Sequence, residues 1–301
     1  MDNSPVSAAE AATIEAAEAR AWEDLYAAAP REWAEEAGVG TIRVGKTLVI
    51  RWAATGRRYF SRSIGLGVLE PAQPEQLDEI LGVWERAGIG MFLVKSMPQC
   101  LPEGYDELLR SRGLEPFDRQ DRIVRDARPA LDVRKAYEVE RVEAGTADEW
   151  AGFLQRVYRL ETGPWLQRLI GRPGWHQYVA REGAEIVAAR GMFVGPDGVA
   201  WLGMDGPVPG LGTDDYEPDA SICARIVEDG LVAGVKTFIA DIEAASEGMD
   251  TPAYPNFARL GFRRPYVRTH FTAGGLDSRL TAERQRVGDG GRIVPCSSSA
   301  C

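Results

Sequence analysis

A similar order of elements occurs twice along this chain of 301 residues. In the first half, apolar spacing and turn residues predict strands across "GTIRVGKTLVIRWAATGRRYFSRSIGLGVL", with Thr47 to Trp52 the β-rich run. A helix follows in "PAQPEQLDEILGVWERAG", with Pro74 near its first turn and Gly88 past its end. Then come a short buried strand in "GMFLVKSMP", a helix in "EGYDELLRSRGLEPF" and a weaker, polar strand in "DRQDRIVRD". The second half repeats the theme. It has a strand in "AYEVERVE", helices in "TADEWAGFLQRVY" and "GPWLQRLIG", and three strands from Trp175 to Gly206. The helix "DASICARIVEDGLVAGV", the strand "KTFIADIEA", the helix "PAYPNFARLG" and the strand "FRRPYVRTHF" close it. Such an order excludes all-helical and all-β folds. It predicts an α/β (α+β) protein of two domains in tandem, each a mixed, mostly antiparallel sheet flanked by helices.

The boundaries follow from local chemistry. "RDARPALDVRKAY" carries Pro129 and many charges and reads as a linker, which places one domain at 1–127, a linker at 128–135, a second domain at 136–273 and a mobile tail at 274–301. A helix from about Ser7 to Glu36 precedes the first strands. It has a break at Pro30 and a buried stripe of Ile14, Ala17, Ala21 and Leu25. Thr146 followed by Glu149 predicts a capping box.

Bulk composition narrows the function. The formal net charge is −10, which argues against nucleic-acid binding. No apolar run reaches the ~18–20 residues that span a bilayer, so no membrane partner is expected. The acidic, Ala-rich start lacks a basic stretch followed by an apolar block, so no signal peptide is expected there. Cys100, Cys223, Cys296 and Cys301 share no metal-binding spacing, so no metal site and a reduced, cytoplasmic setting are expected.

The second half resembles the GNAT acyltransferase superfamily. "PAYPNFARLGFRRPYVRTHF" carries the likeness best, with Asn256, Gly261 and Phe262 in matching places. "FSRSIGLGVLEPAQPEQLDEIL" and "LLRSRGLEPF" resemble the reduced N-terminal copy of tandem-GNAT proteins. The resemblance implies acyl transfer from a thioester to an amine, with no tightly bound cofactor. It also implies that the fourth and fifth strands splay, that pantetheine lies in the gap, and that a Gly-rich turn before the next helix holds the CoA pyrophosphate. Met204, Gly206, Val208 and Asn256 fall where the pantetheine arm is expected.

The loop "GPVPGLGTDDYEPDASICARI" departs from that pattern. Gly210 and Gly212 lie too early for the helix, and Asp214, Asp215, Glu217 and Asp219 crowd the anion position. A carboxylate ~4 Å from a phosphate costs about 1 kcal/mol in water and ~4 at an effective dielectric near 20. The same acids can cap the helix. The expected donor is therefore a phosphopantetheine thioester, on an acyl or peptidyl carrier protein in preference to acyl-CoA, with a small-molecule amine as acceptor. An ordinary acetyl-CoA enzyme and a non-catalytic or non-transfer protein on the same scaffold are the alternatives. "RLGFRRPYVR" supplies Arg259, Arg263, Arg264 and Arg268 for docking an acidic carrier, and "LQRLIGRPGW" adds Arg168 and Arg172. Asp205 and Asp241 are the candidate bases on the fourth and fifth strands. The position of the family's usual acid is Phe257, so Tyr254, Tyr266 and His270 are candidates in its place, with His176 a weaker one.

Overall fold

The computed structural model describes residues 5–128, 135–206, 216–244, 251 and 253–274. Helices α1 (Ala8–Ala27) and α2 (Arg31–Ala37) are separated at Pro30. Ser7 caps α1, its hydroxyl accepting from the Glu10 N–H at 3.2 Å. The expected stripe of Ile14, Ala17, Ala21 and Leu25 is buried, and so, against the usual pattern, are Glu15 and Glu18.

The first half continues through β1 (Val39–Val44), β2 (Thr47–Trp52), β3 (Arg62–Ile64), α3 (Pro74–Arg86), β4 (Val94–Ser96), α4 (Tyr105–Ser111) and β5 (Leu114–Asp126). The second comprises β6 (Glu138–Arg141), α5 (Ala147–Tyr158), β7 (Trp175–Glu182), β8 (Glu185–Val194), β9 (Val199–Gly206), α6 (Glu217–Val232), β10 (Thr237–Glu243), α7 (Tyr254–Arg259) and β11 (Arg263–Ala273). Three local expectations change. Thr146 makes its capping box with Glu143 across a 3-10 turn, not with Glu149. The short helix after α5 is a 3-10 turn, Leu166–Leu169. Helix α6 starts at Glu217, two residues earlier than expected.

The larger change concerns the halves themselves. Strands β1, β2 and β3 form one antiparallel sheet, and the other eight run in the order β4-β11-β5-β10-β9-β8-β7-β6. A parallel bridge from Arg62 to Leu93 links β3 to β4 and so joins the two sheets. The closing strand of the first half, β5, pairs with β10 of the second, and the closing strand of the second half, β11, pairs with β4 of the first. Strands β5 and β11 pair with each other at the centre. Each half thus completes the sheet of the other. The polar reading of β5 as a weak strand is corrected accordingly: its Asp121, Arg122 and Arg125 are buried because neighbours on both sides pair with it.

Helix α1 lies over this seam, touching β1, β2 and β3 of the first half and β9 of the second. Its two buried acids meet four cations. Glu18 binds Lys95 at 2.6 Å and also bonds Arg122 and Arg268, while Arg62 stands 4.0 Å away. Glu15 lies 3.3 Å from both Arg122 and Arg268 and accepts from the Tyr266 hydroxyl at 3.1 Å. Removing one partner from such a network costs roughly 3–5 kcal/mol, because the other is left buried and charged. The polar seam is enclosed by apolar clusters, one of them rich in tryptophan and running from α1 to α5, β7 and β9. Among the described residues no helix is long and apolar enough to cross a membrane.

Candidate active site

Strands β9 and β10 run parallel but pair only from Val199 to Trp201 against Thr237 to Ile239. Strand β10 stays paired with β5 over its whole length, so the gap opens on its β9 side from Ala240 onward. A bulge in β9 accompanies the opening. Ala189 opposes Gly206 and Gly191 opposes Gly203, so Met204 and Asp205 together face the single residue Arg190. Met204 takes a φ of 56°, in the left-handed region that costs a side-chain-bearing residue roughly 1–2 kcal/mol. The strained residue stands where the two strands part.

The gap leads into a cavity of about 1070 Å³. Its walls come from α1, α5, β3, β5, β9 and β10, and so from both halves. The apolar lining is rich in aromatic residues, including Trp22, Trp52, Phe60, Tyr158, Trp165 and Trp201. Gly203 lets the Trp201 ring lie across the strand: a Cβ there would stand 2.2 Å from the ring. The volume suits a small organic ligand.

Polar groups line the cavity at defined places. Asp205 is half-buried, 3.5 Å from Arg190, and its carbonyl accepts from the Tyr158 hydroxyl. Burial pushes the Tyr158 phenol well above its ordinary range, so it remains a proton donor at neutral pH. Arg190 is buried and binds Asp219 through two bonds of 2.8 and 2.9 Å. Burial opposes its charge, but Asp219 and Asp205 outweigh that and raise it above the usual guanidinium range. Asp118 accepts from the Tyr59 hydroxyl and stands 2.6 Å from His270 Nδ1. Arg57, Arg119 and Arg159 also line the cavity and are exposed. Among the described residues none of these three has a carboxylate partner, and no three His, Cys, Asp or Glu side chains are grouped to hold a metal ion.

The sequence candidates separate on this map. Asp205, Asp241 and Met204 line the cavity. Asp241 is held by Arg268 and, at 3.4 Å, by Arg122. Gly206 ends β9 against Val157 and Phe153 of α5. Val208, Gly210, Gly212, Asp214 and Asp215 lie outside the described residues. His270 is fully buried and reaches the cavity wall through Asp118; burial lowers its basicity, with Asp118 opposing. Tyr254 is buried on α7 under the Arg264 guanidinium, 3.9 Å from the ring centre, and is not part of the cavity wall. Tyr266 faces Glu15, and Asn256 accepts from Arg259 outside the cavity. His176 lies on β7, away from the cavity, and burial lowers its basicity.

One member of the docking set requires correction. Arg268 is fully buried in the seam network and cannot meet a partner. Arg263 is paired with Glu10 at 2.9 Å, Arg264 with Asp121 at 3.4 Å and Arg259 with Glu217 at 3.3 Å. Arg172 is bonded to Asp24 at 2.6 and 2.9 Å. Sequence reasoning missed the aromatic lining, Arg62, and the cavity arginines Arg57, Arg119 and Arg159. "GRRYFSR" carried part of that signal, since it sets Arg57 and Arg62 on either side of Tyr59 and Phe60, but it holds neither Arg119 nor Arg159.

No protein-family model matches the chain, and no curated protein matches it. Solved structures do. A GCN5-related N-acetyltransferase from Kribbella flavida superposes with a TM-score of 0.56 at 14% identity, over 79% of this chain and 90% of that one. A conserved protein of unknown function from Staphylococcus epidermidis gives 0.50 at 12%, over 81% and 98%. A tandem GNAT protein from the clavulanic acid biosynthesis pathway gives 0.48 at 12%, over 91% and 99%. The fold is that of the GNAT acetyltransferases. Within it the closing strands of the two halves of the chain are exchanged.

Proposed function

We propose that the protein is an N-acyltransferase that takes an acyl group from a pantetheine thioester lying between β9 and β10 and delivers it to a small-molecule amine in the aromatic cavity. The observation that carries this reading is the continuity of the β9–β10 gap with that cavity. Past Trp201 the facing backbone groups of the two strands lack a ladder partner, and the amides of a pantetheine arm match them.

Asp205 is the proposed base. It stands half-buried at the end of the gap and would accept the ammonium proton as the amine attacks the thioester carbon. Tyr158, bonded to the Asp205 carbonyl, is the proposed acid for the departing thiolate. Asp241, gripped by two guanidiniums, serves the seam and the cavity wall instead.

The donor proposed is a carrier-bound phosphopantetheine thioester, with acyl-CoA second. The first turn of α6 holds Glu217, Pro218 and Asp219, and Pro218 lacks an N–H. That helix end already carries two carboxylates, so it is a poor seat for a pyrophosphate. The exposed Arg57, Arg119 and Arg159 are a better docking set for an acidic carrier than the sequence candidates. The test is to mix the protein with acetyl-CoA or an acetylated carrier and a panel of amines, and to follow free thiol and acylated product. Faster turnover from the carrier supports the donor proposed. Turnover with acetyl-CoA alone overturns the donor and keeps the acyltransferase reading. No transfer from either leaves a binding protein on this scaffold.

A further inference from the structure

Four cations surround the buried Glu18 carboxylate, and three of them occupy it. Lys95 Nζ lies 2.6 Å from Oε1, while Arg122 and Arg268 both bond Oε2. Arg62 Nη1 is left at 4.0 Å from Oε1, beyond hydrogen-bonding reach. Its Nε donates to the Tyr59 carbonyl at 2.7 Å. Its Nη1 and Nη2 have no hydrogen-bond acceptor among the described residues.

This guanidinium is also placed and oriented. It stacks over the Trp22 ring, 4.0 Å from the centre, and the side chain is 7% exposed. Arg62, Trp22, Phe60 and Trp201 belong to the same cavity wall. A buried guanidinium with open N–H groups is costly unless something accepts from it. Its planar fork matches a carboxylate, which can take both Nη groups at once. Arg62 comes from β3 and shares the aromatic wall with Trp22, Phe60 and Trp201, so an anion bound there is assigned to the molecule that fills the cavity, the acceptor.

We propose that Arg62 anchors a carboxylate of the acceptor, whose apolar body lies against Trp22, Trp201 and Phe60. The acceptor class is then an amine that also carries a carboxylate on an aromatic or bulky apolar frame. This assignment rests on reading the cavity as the acceptor site of an acyltransferase.

The experiment uses two probes of one shape and different charge, 3-phenylpropanoate and 3-phenylpropanamide. Binding is followed by intrinsic tryptophan fluorescence, since Trp22, Trp52, Trp165 and Trp201 line the cavity. The propanoate is expected to bind at least about tenfold more tightly. The Arg62→Gln variant, checked by circular dichroism, is expected to lose that preference. Equal affinity of the two probes for the unaltered protein, no binding of the propanoate at millimolar concentration, or an undiminished preference in folded Arg62→Gln would each overturn the proposal. The comparison on the unaltered protein decides even if the variant does not fold. Neither probe has an amine, so the result is independent of turnover. Carboxylate preference without acyl transfer to any amine would sink the enzymatic reading alone.

Discussion

Lys95 Nζ lies 2.6 Å from Glu18 Oε1, with both side chains buried, and this contact ties strand β4 to helix α1 at the seam of the two halves. Both groups are shifted downward, which favours the neutral lysine and the charged carboxylate. Burial, with Arg268 next, pushes the Lys95 ammonium down to about 7, while Glu18 and Glu15 pull the other way. Burial opposes ionisation of Glu18, but Arg268, Lys95 and Arg122 outweigh it and hold the carboxyl well below its ordinary range.

A pH dependence of stability follows for Lys95. Its unfolded value is about 10.4, so above pH ~7 the unfolded chain binds the extra proton and the lysine's contribution to stability rises with pH. Met at this position does not titrate. The stability difference between the natural chain and Lys95→Met should therefore grow from about pH 7 to about pH 9, by at most ~1.4 kcal/mol per unit. Urea midpoints at several pH values measure it, and a flat difference contradicts it.

Glu18 gives the opposite edge. Its contribution is present above its unfolded value and is lost as pH falls through the depressed folded one. Glu18→Gln should cost roughly 3–5 kcal/mol at neutral pH, since Lys95, Arg122 and Arg268 lose their counter-charge. The cost should shrink toward acid. Denaturant titration at neutral and acidic pH is the check.

The exchanged strands predict that the halves do not fold alone. Residues 1–128 lack β11 beside β4, and residues 135–301 lack β5 between β10 and β11. Each fragment would leave a long buried strand edge open. Neither should show a cooperative transition by circular dichroism, whereas the two co-expressed should associate. A stable, monomeric half would contradict the exchange as an obligatory feature.

In the proposed mechanism Asp205 and Tyr158 act only in the chemical step. Asp205→Asn and Tyr158→Phe should each lower kcat by ~10²–10⁴ and ~10²-fold or more, with KM for the thioester within about threefold. Asp241→Asn should instead act on stability, because Arg122 and Arg268 lose a partner. Steady-state kinetics and melting curves separate these outcomes.

Much of the fold was legible along the chain. Period-two runs, Gly and Pro punctuation and the helical stripe of α1 locate nearly all the elements, and Asp205, Asp241 and Met204 are found at the cavity. The strand exchange was not legible, because local pattern says which residues make a strand and nothing about its neighbour. Burial of Glu15, Glu18, Arg122 and Arg268 was hidden for a related reason: a charge inside the protein needs partners from distant segments, here α1, β4, β5 and β11. Arg268 therefore passed for a docking residue. The acids at the start of α6 were visible, but not that Asp219 answers a buried Arg190 from β8.

The central claim is that a pantetheine thioester enters between β9 and β10. Hydrogen exchange followed by mass spectrometry, with and without S-acetylphosphopantetheine, tests it without knowledge of the acceptor. Slowed exchange is expected only in Leu202–Gly206 and Ala240–Glu243, where the strands face each other unpaired. Unchanged exchange in both segments at saturating ligand, or protection elsewhere in their place, would contradict it.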